Sequence, residues 1–458
     1  MVLQRNPIGL GLVLLMFVIA SECNEFLRVC YFTSWSVHRK SHYAKFDVAD
    51  IDPSLCTHLI YAFGKIDVES KLLVPFEPLV EDARPGHIGK YGQFNKLKQQ
   101  NPRLKTLLSV GGQFDDGSGF VTVTENDIII KRFAQNAVEF LRKRSFDGFD
   151  IDWEYPTKET KRTFIRLLRV TTRPLSFPIS SLKDQNSPPP EKSNLTHSTP
   201  NMVMPQLSYF DPSERIGVTI GVTAEYVDYA NLMTYDYHGH NSQVAAFNSP
   251  LYSRKDPTFN PTLSTNWTVH YYNRLGLPLS KILVGVTPMG RQFILVNTND
   301  TFVGAPVTFE EEPGNFYDME GRLAYPEVCQ MRFGVRTKKD FDIEQSVPFM
   351  WHGHHWVGYE DTHSAKIKVD YMLKTGAAGF MFWSLDQDDF TGLACEVGKY
   401  PLLKAMVNSV KKSEEPVLTE HVNDEINYLT QGARPTSTSL SFQVVIVLSV
   451  IAKTLMFL

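Results

Sequence analysis

Four carboxylates fall within eight residues of this chain: Asp147, Asp150, Asp152 and Glu154, in the run FDGFDIDWEYP from Phe146 to Pro156. Successive side chains of a strand point to opposite faces, so Asp150, Asp152 and Glu154 share one face while Phe149, Ile151 and Trp153 share the other. The apolar face packs beneath helices, and the opposite face carries carboxyls into the interior of a sheet. Like charges repel, and burial penalises each of them. Stability alone would not choose this arrangement; its bland alternative is the solvated face of an edge strand. An enzyme can use it, because crowding and burial raise carboxyl pKa values and keep one group protonated as a general acid. Glu154 stands where the strand ends, just before Pro156.

Such a group needs a rigid frame, and the chain supplies repeated strand and helix signals. Strands are expected at Arg28–Trp35, Thr57–Phe63, Lys105–Val110, Phe146–Tyr155, Tyr229–Tyr235, Lys281–Thr287 and Ala378–Trp383. Helical stretches separate several of them, Asp127–Arg144 being the clearest. Apolar strands alternating with helices predict a parallel α/β sheet. Polar and aromatic residues gather at the strand C-terminal ends, as at the active face of a (β/α)8 barrel. An open doubly wound sheet is the rival, weakened by the lack of a Gly-rich phosphate loop. Residues 173–202, with Pro188-Pro189-Pro190, read as a polar loop.

The ends read differently. Arg5, the apolar run Ile8–Ala20 and small residues at Ser21 and Cys23 predict a signal peptide over residues 1–23, with a buried helix as the alternative. Its removal leaves Cys30, Cys56, Cys329 and Cys395, an even set that suggests two disulfides in an oxidising compartment and allows three pairings. Asn194, Asn266 and Asn299 head glycosylation triplets. The catalytic domain is expected over 24–411, followed by a polar linker at 412–439 and an apolar tail at 440–458. That tail reads as a glycolipid-anchor signal, a membrane span or a buried terminal helix, with Lys453 opposing a hydrocarbon environment. A secreted or surface-anchored protein follows. The net charge of −4 gives no basic excess for nucleic acid.

The run DGFDIDWEYP resembles the D-x-x-D-x-D-x-E signature of family 18 glycoside hydrolases, the chitinase family. Matches also stand in the family's order at CYFTSW (30–35), YAF (61–63), SVGG (109–112), LMTYDYHG (232–239), GRQF (290–293) and GFMFWSLDQDDFTG (379–392). The resemblance implies a (β/α)8 TIM barrel with a small α+β insertion between strands 7 and 8, over about 292–360. It also implies the pairings Cys30–Cys56 and Cys329–Cys395, a monomer, and no metal or organic cofactor. The trio His352, His354 and His355 suggests a metal cluster at first sight, but its place in the insertion favours a surface or cleft-wall role.

By the same resemblance, Glu154 protonates the leaving oxygen and then activates water. Asp152 orients the substrate's acetamido group, Asp150 shares a proton with Asp152, and Asp147 supports that chain. Tyr235 hydrogen-bonds the acetamido oxygen, and Asp236 helps close the site. Trp383 forms an aromatic floor, Arg291 lines the cleft, and Tyr31, Phe63 and Met233 join the substrate-binding set. The implied reaction is hydrolysis of chitin or chito-oligosaccharides, with internal cleavage as the expected mode. A chitin-binding lectin and an endo-β-N-acetylglucosaminidase acting on N-glycans are the rivals; the presence of Glu154 favours an enzyme over the lectin.

Three departures stand out. Gln113 and Met289 replace a Trp and a Tyr that many relatives carry, removing contacts to sugar. Between Glu154 and Tyr235 the candidate fifth strand is Arg215–Val222, and Thr223–Val227 is too short for the usual crossover helix. The barrel wall is therefore expected to be irregular there.

Overall fold

A computed structural model of the chain describes residues 25–157, 159–171, 202–207, 224–239, 242–308, 314, 316 and 321–414. The proposed signal peptide, Asn194, the 215–222 segment and the apolar tail lie outside these. The chain divides into two units, Met1–Val410 and Lys411–Leu458, and the barrel belongs to the first.

Eight strands build it: β1 (Leu27–Thr33), β2 (His58–Asp67), β3 (Lys105–Gly111), β4 (Gly148–Asp152), β5 (Met202–Leu207), β6 (Ala230–Leu232), β7 (Ile282–Val286) and β8 (Gly379–Phe382). Each pairs in parallel with the next, and β8 pairs with β1, so the sheet closes on itself. This is the (β/α)8 architecture that the alternating pattern predicts.

Closure corrects the reading of the fifth strand. The place beside β4 belongs to Met202–Leu207, which begins at the last residue of the stretch read as loop, and its Gly148↔Met202 and Ile151↔Pro205 register carries the ladder across. The sequence MVMPQL has one β-branched residue and a proline that cannot donate to a ladder, so local propensity hides the strand.

Two apolar layers hold the barrel. Outside it, Phe149, Ile151 and Trp153 of β4 and its extension pack with Phe133, Ala137 and Phe140 of helix Asp127–Lys143 and with Phe164, Leu167 and Leu168 of helix Lys161–Thr171. The helix starts at Asn126, whose side chain accepts from the Ile128 and Ile129 N–H groups. Inside, a smaller cluster of Val29, Tyr31, Ile60, Leu107, Leu283 and Met381 fills the barrel. The predicted alternation along β4 is therefore the observed division between layers.

A second sheet, six-stranded and antiparallel, lies between β7 and β8 in the chain. Its strands run from Gly290–Leu295 to His355–Gly358, with helix Tyr325–Arg332 among them. Among the described residues no helix is long and apolar enough to cross a membrane.

Cys30 in β1 is bonded to Cys56 just before β2, and Cys329 to Cys395. The first closes a span of 26 residues. Replacing Cys30 and Cys56 together by Ser is expected to lower stability by about 3 kcal/mol, the loop entropy returned to the unfolded chain. Denaturant unfolding of the oxidised protein and the double variant measures this; equal midpoints would mean the bridge adds nothing.

Candidate active site

The interior face of β4 carries Asp150 and Asp152, both almost wholly buried. The Asp150 carboxylate accepts hydrogen bonds from Tyr31 Oη at 2.8 Å, Ser109 Oγ at 2.5 Å and Asn231 Nδ2 at 3.3 Å. These donors come from β1, β3 and β6, so three strands converge on one carboxyl. Burial pushes Asp150 up to about 7, against the lowering pull of the three donors.

Asp152 has a poorer environment. Burial raises it well above the usual carboxylate range, and the charges of Glu154, Asp150 and Asp115 raise it further. Its Oδ1 has no hydrogen-bond partner among the described residues. Two raised carboxyls two residues apart on one buried face favour a state in which the pair carries a proton.

Glu154 lies half-buried beyond the end of β4. Burial is the main cause of its raised pKa; a Tyr155 hydrogen bond lowers it, the Asp236 charge raises it and the Arg322 charge lowers it. Arg322 pairs with Asp236 at 3.2 Å and comes from the inserted sheet. The insertion thus reaches the acid.

Backbone clearance lets β3 and β4 meet here. Gly111 has φ 105°, and a Cβ on it would lie 2.0 Å from the Asp152 carbonyl oxygen. Gly112 donates its N–H to that same oxygen at 2.8 Å. Only glycine fits such an approach with such a backbone. Non-proline cis peptide bonds follow β4 at Glu154-Tyr155, occur within β2 at Ala62-Phe63 and follow β8 at Trp383-Ser384.

Tyr235 is buried above the carboxyls, and its hydroxyl faces Met381 Sδ at 3.8 Å. Thioether sulfur is a weak acceptor, so the hydroxyl can be drawn to a better one. An aromatic wall stands alongside. Trp383 packs against Tyr31 at 5.1 Å and Phe63 at 6.1 Å between ring centroids, and Trp35 stacks on Phe63 at 5.7 Å. Met233 packs on the same interior cluster. Arg291 is buried, with its guanidinium so close to Gly239 that a Cβ there would meet Nη2 at 2.8 Å.

One residue assigned to this group is not brought to it. Asp147 precedes β4, at the opposite end of the strand from Glu154. Its carboxylate accepts from Lys98 Nζ at 2.9 Å and from the Thr106 N–H at 2.8 Å. It ties the start of β4 to β3, because a strand carries residues five positions apart well over 10 Å from each other. Conversely, Trp35, Ser109, Asn231 and Arg322 belong to the site and were not singled out from sequence. Asn231 had a signal: a polar residue inside an otherwise apolar strand, ANL.

The departures also have places. Gln113 is exposed and Met289 buried. Asn299 is exposed in a loop, whereas Asn266 is half-buried in helix Thr265–Arg274. His354 Nδ1 lies 2.8 Å from the Leu295 carbonyl oxygen. Among the described residues no group of three or more His, Cys, Asp or Glu could hold a metal.

A closed parallel barrel with carboxyls and aromatic rings gathered at the strand C-terminal ends has the arrangement of a (β/α)8 enzyme. The sequence profile of Glycosyl hydrolases family 18 matches residues 28–388, and the chain belongs to that family. Chitotriosidase-1 of Mus musculus is 32% identical over 403 residues, which are 87% of this chain and 81% of that protein. The Group IV chitinase of Ostrinia furnacalis, solved in complex with allosamidin, superposes with a TM-score of 0.73 at 28% identity, over 85% of this chain and 99% of that one. A human pseudo-chitinase with retained chitooligosaccharide binding properties superposes with a TM-score of 0.71 at 29% identity, over 84% and 100%.

Ser109→Ala removes the shortest of the three donors to Asp150. Asp150 is expected to rise by about one unit. Infrared difference spectra near neutral pH should show a larger protonated-carboxyl band; an unchanged band would remove this hydroxyl from the proton balance.

Proposed function

We propose that the chain hydrolyses β-1,4-linked N-acetylglucosamine polymers by substrate-assisted catalysis with retention at the anomeric carbon. The observation that carries this reading is the buried Asp152 Oδ1, an acceptor without a partner among the described residues, between a hydrogen-bonded Asp150 and a half-buried acid. An acetamido N–H is the donor such an oxygen would take. Tyr235 Oη would donate to the acetamido oxygen and turn it toward the anomeric carbon.

In the first step Glu154 gives its proton to the glycosidic oxygen while the acetamido oxygen forms a bond to the anomeric carbon. The leaving sugar departs as an alcohol, and a cyclic oxazolinium ion remains. Its positive charge sits beside the Asp150–Asp152 pair, which becomes more fully ionised in response. Glu154, now a carboxylate, takes a proton from water as that water opens the ring. Two inversions give retention. Trp383, backed by Tyr31 and Phe63, would hold the sugar's apolar face in register with Glu154. No step needs a metal or organic cofactor.

The pseudo-chitinase among the neighbours keeps a second reading in view, a binding protein on the same barrel. The raised Glu154 favours the enzyme, since a lectin gains nothing from a poised acid. For location, the disulfides Cys30–Cys56 and Cys329–Cys395 support an oxidising, extracellular setting.

Two measurements test the reading. Glu154→Gln should lower kcat on a fluorogenic chitotetraose analogue by about 10²–10⁴-fold with binding retained. Equal rates would end the assignment, and binding without turnover by the unaltered protein would establish the lectin. The pH profile gives the second. Glu154 must be protonated, so activity falls as pH rises through its raised pKa. Removing the lowering charge with Arg322→Leu should carry the alkaline limb of kcat/KM to higher pH; a limb that stays put would deny Arg322 an electrostatic role.

A further inference from the structure

Asp236 holds φ 57°, in the left-handed region that a residue with a side chain seldom occupies. It belongs to neither β6 nor a helix, so something else must hold it there. The holder is a two-residue segment, Asn248-Ser249. Asn248 Oδ1 accepts the Asp236 N–H at 3.1 Å, and the Asn248 carbonyl accepts the Tyr237 N–H at 3.1 Å. Ser249 Oγ donates to the Thr234 carbonyl at 2.6 Å. Three hydrogen bonds thus clip residues 234–237 from one side.

The clip is anchored in turn. Lys368, wholly buried on helix Thr362–Thr375, donates to the Ser249 carbonyl at 2.6 Å and to Ser249 Oγ at 2.8 Å. Its charge is matched by Glu360, also buried, which further accepts from Ser364 Oγ at 2.6 Å. An ion pair so deep carries a large desolvation cost and adds little as glue; its use is to fix a geometry. Asn248 shows the same sign. Its Nδ2 is buried with no partner among the described residues. A side chain kept for packing would avoid that orphaned donor, whereas one kept for its oxygen must accept it.

We propose that Asn248 is a positioning residue that holds the Asp236 carboxylate beside Glu154. Released from the clip, the backbone at Asp236 relaxes out of the left-handed region and its carboxylate swings away. Glu154 faces Asp152 on its own strand, Tyr155 next to it, Tyr235 and Asp236 from the β6 loop, and Arg322 from the insertion. Of these, Asp236 raises Glu154 from across the cleft. Loss of its charge makes Glu154 a stronger acid, protonated over a narrower range. The inference rests on Glu154 as the proton donor, but its test does not need turnover.

The experiment is carbon-13 NMR titration of Glu-labelled full-length protein, with the Glu154 signal assigned by its loss in Glu154→Gln. Asn248→Leu keeps the volume and removes the acceptor. Its Glu154 midpoint should fall by about half a unit. In an Asp236→Asn background the same substitution should move the midpoint by less than about 0.2 unit, because the two act through one charge. An unchanged midpoint in folded Asn248→Leu, or an equal shift in both backgrounds, overturns the proposal. If Asn248→Leu loses its cooperative melt, Ser249→Ala, which frees the Thr234 carbonyl with little change of volume, should lower the midpoint too, and no shift there overturns it equally. Absence of hydrolysis by the unaltered protein would defeat the chitinase reading while leaving these midpoints measurable.

Discussion

Everything at this site depends on keeping carboxyl groups inside a closed barrel. Water would solvate Asp150 and Asp152 far better than the protein does, and the charged forms are disfavoured accordingly. The structure offsets this unevenly. Asp150 receives three donors from three strands, while Asp152 Oδ1 receives none among the described residues. The difference separates two neighbours of identical chemistry: one is fully hydrogen-bonded, and the other keeps a buried oxygen without a partner among the described residues. Donors from β1, β3 and β6 can meet at one point only if the sheet curves fully round, so β5, which links β4 to β6, bears on that carboxyl through closure.

Glu154 lies past the strand end and is only half-buried. Burial is still the main cause of its raised proton affinity, and the opposed charges of Asp236 and Arg322, a pair that spans the β6 loop and the inserted sheet, trim it. The insertion is therefore part of the acid's electrostatic surroundings as well as a wall of the cleft. An acid poised by two opposed charges can be adjusted by small movements of either, which gives backbone supports such as the Asn248-Ser249 clip a chemical consequence.

Much of this was legible in the chain. Period-two alternation in GFDIDWE assigned each β4 side chain to its layer, because a strand has only two faces. The motif also carried Asp147 along as a site residue, yet spacing within a motif is not proximity: Asp147 and Asp152 stand five positions apart along an extended strand. Ser109, within the SVGG match, and Asn231, polar in an apolar strand, left traces but not a role, because neither is titratable and each acts only through the partner that folding brings near. Arg322 had no local signal at all, its role being set by the docking of a sheet far away in sequence. The fifth strand escaped because MVMPQL has weak strand propensity, and pairing on both sides overrides it.

Of the departures from relatives, Gln113 lies at the surface while Met289 is buried. Gln113 is exposed on the loop after β3, so its difference changes a surface that extended chains could touch. The carboxyl array, Tyr235 and the ring stack of Trp35, Phe63 and Trp383 are complete. Contacts to remote sugars supply binding energy that can be drawn on to distort and orient the reacting one, so their loss lowers the benefit of a long substrate. Contacts at the reacting sugar act on the transition state itself. On the proposed chitinase reading, a chain that keeps the second set while altering the first retains the bond-breaking step and depends less on polymer length.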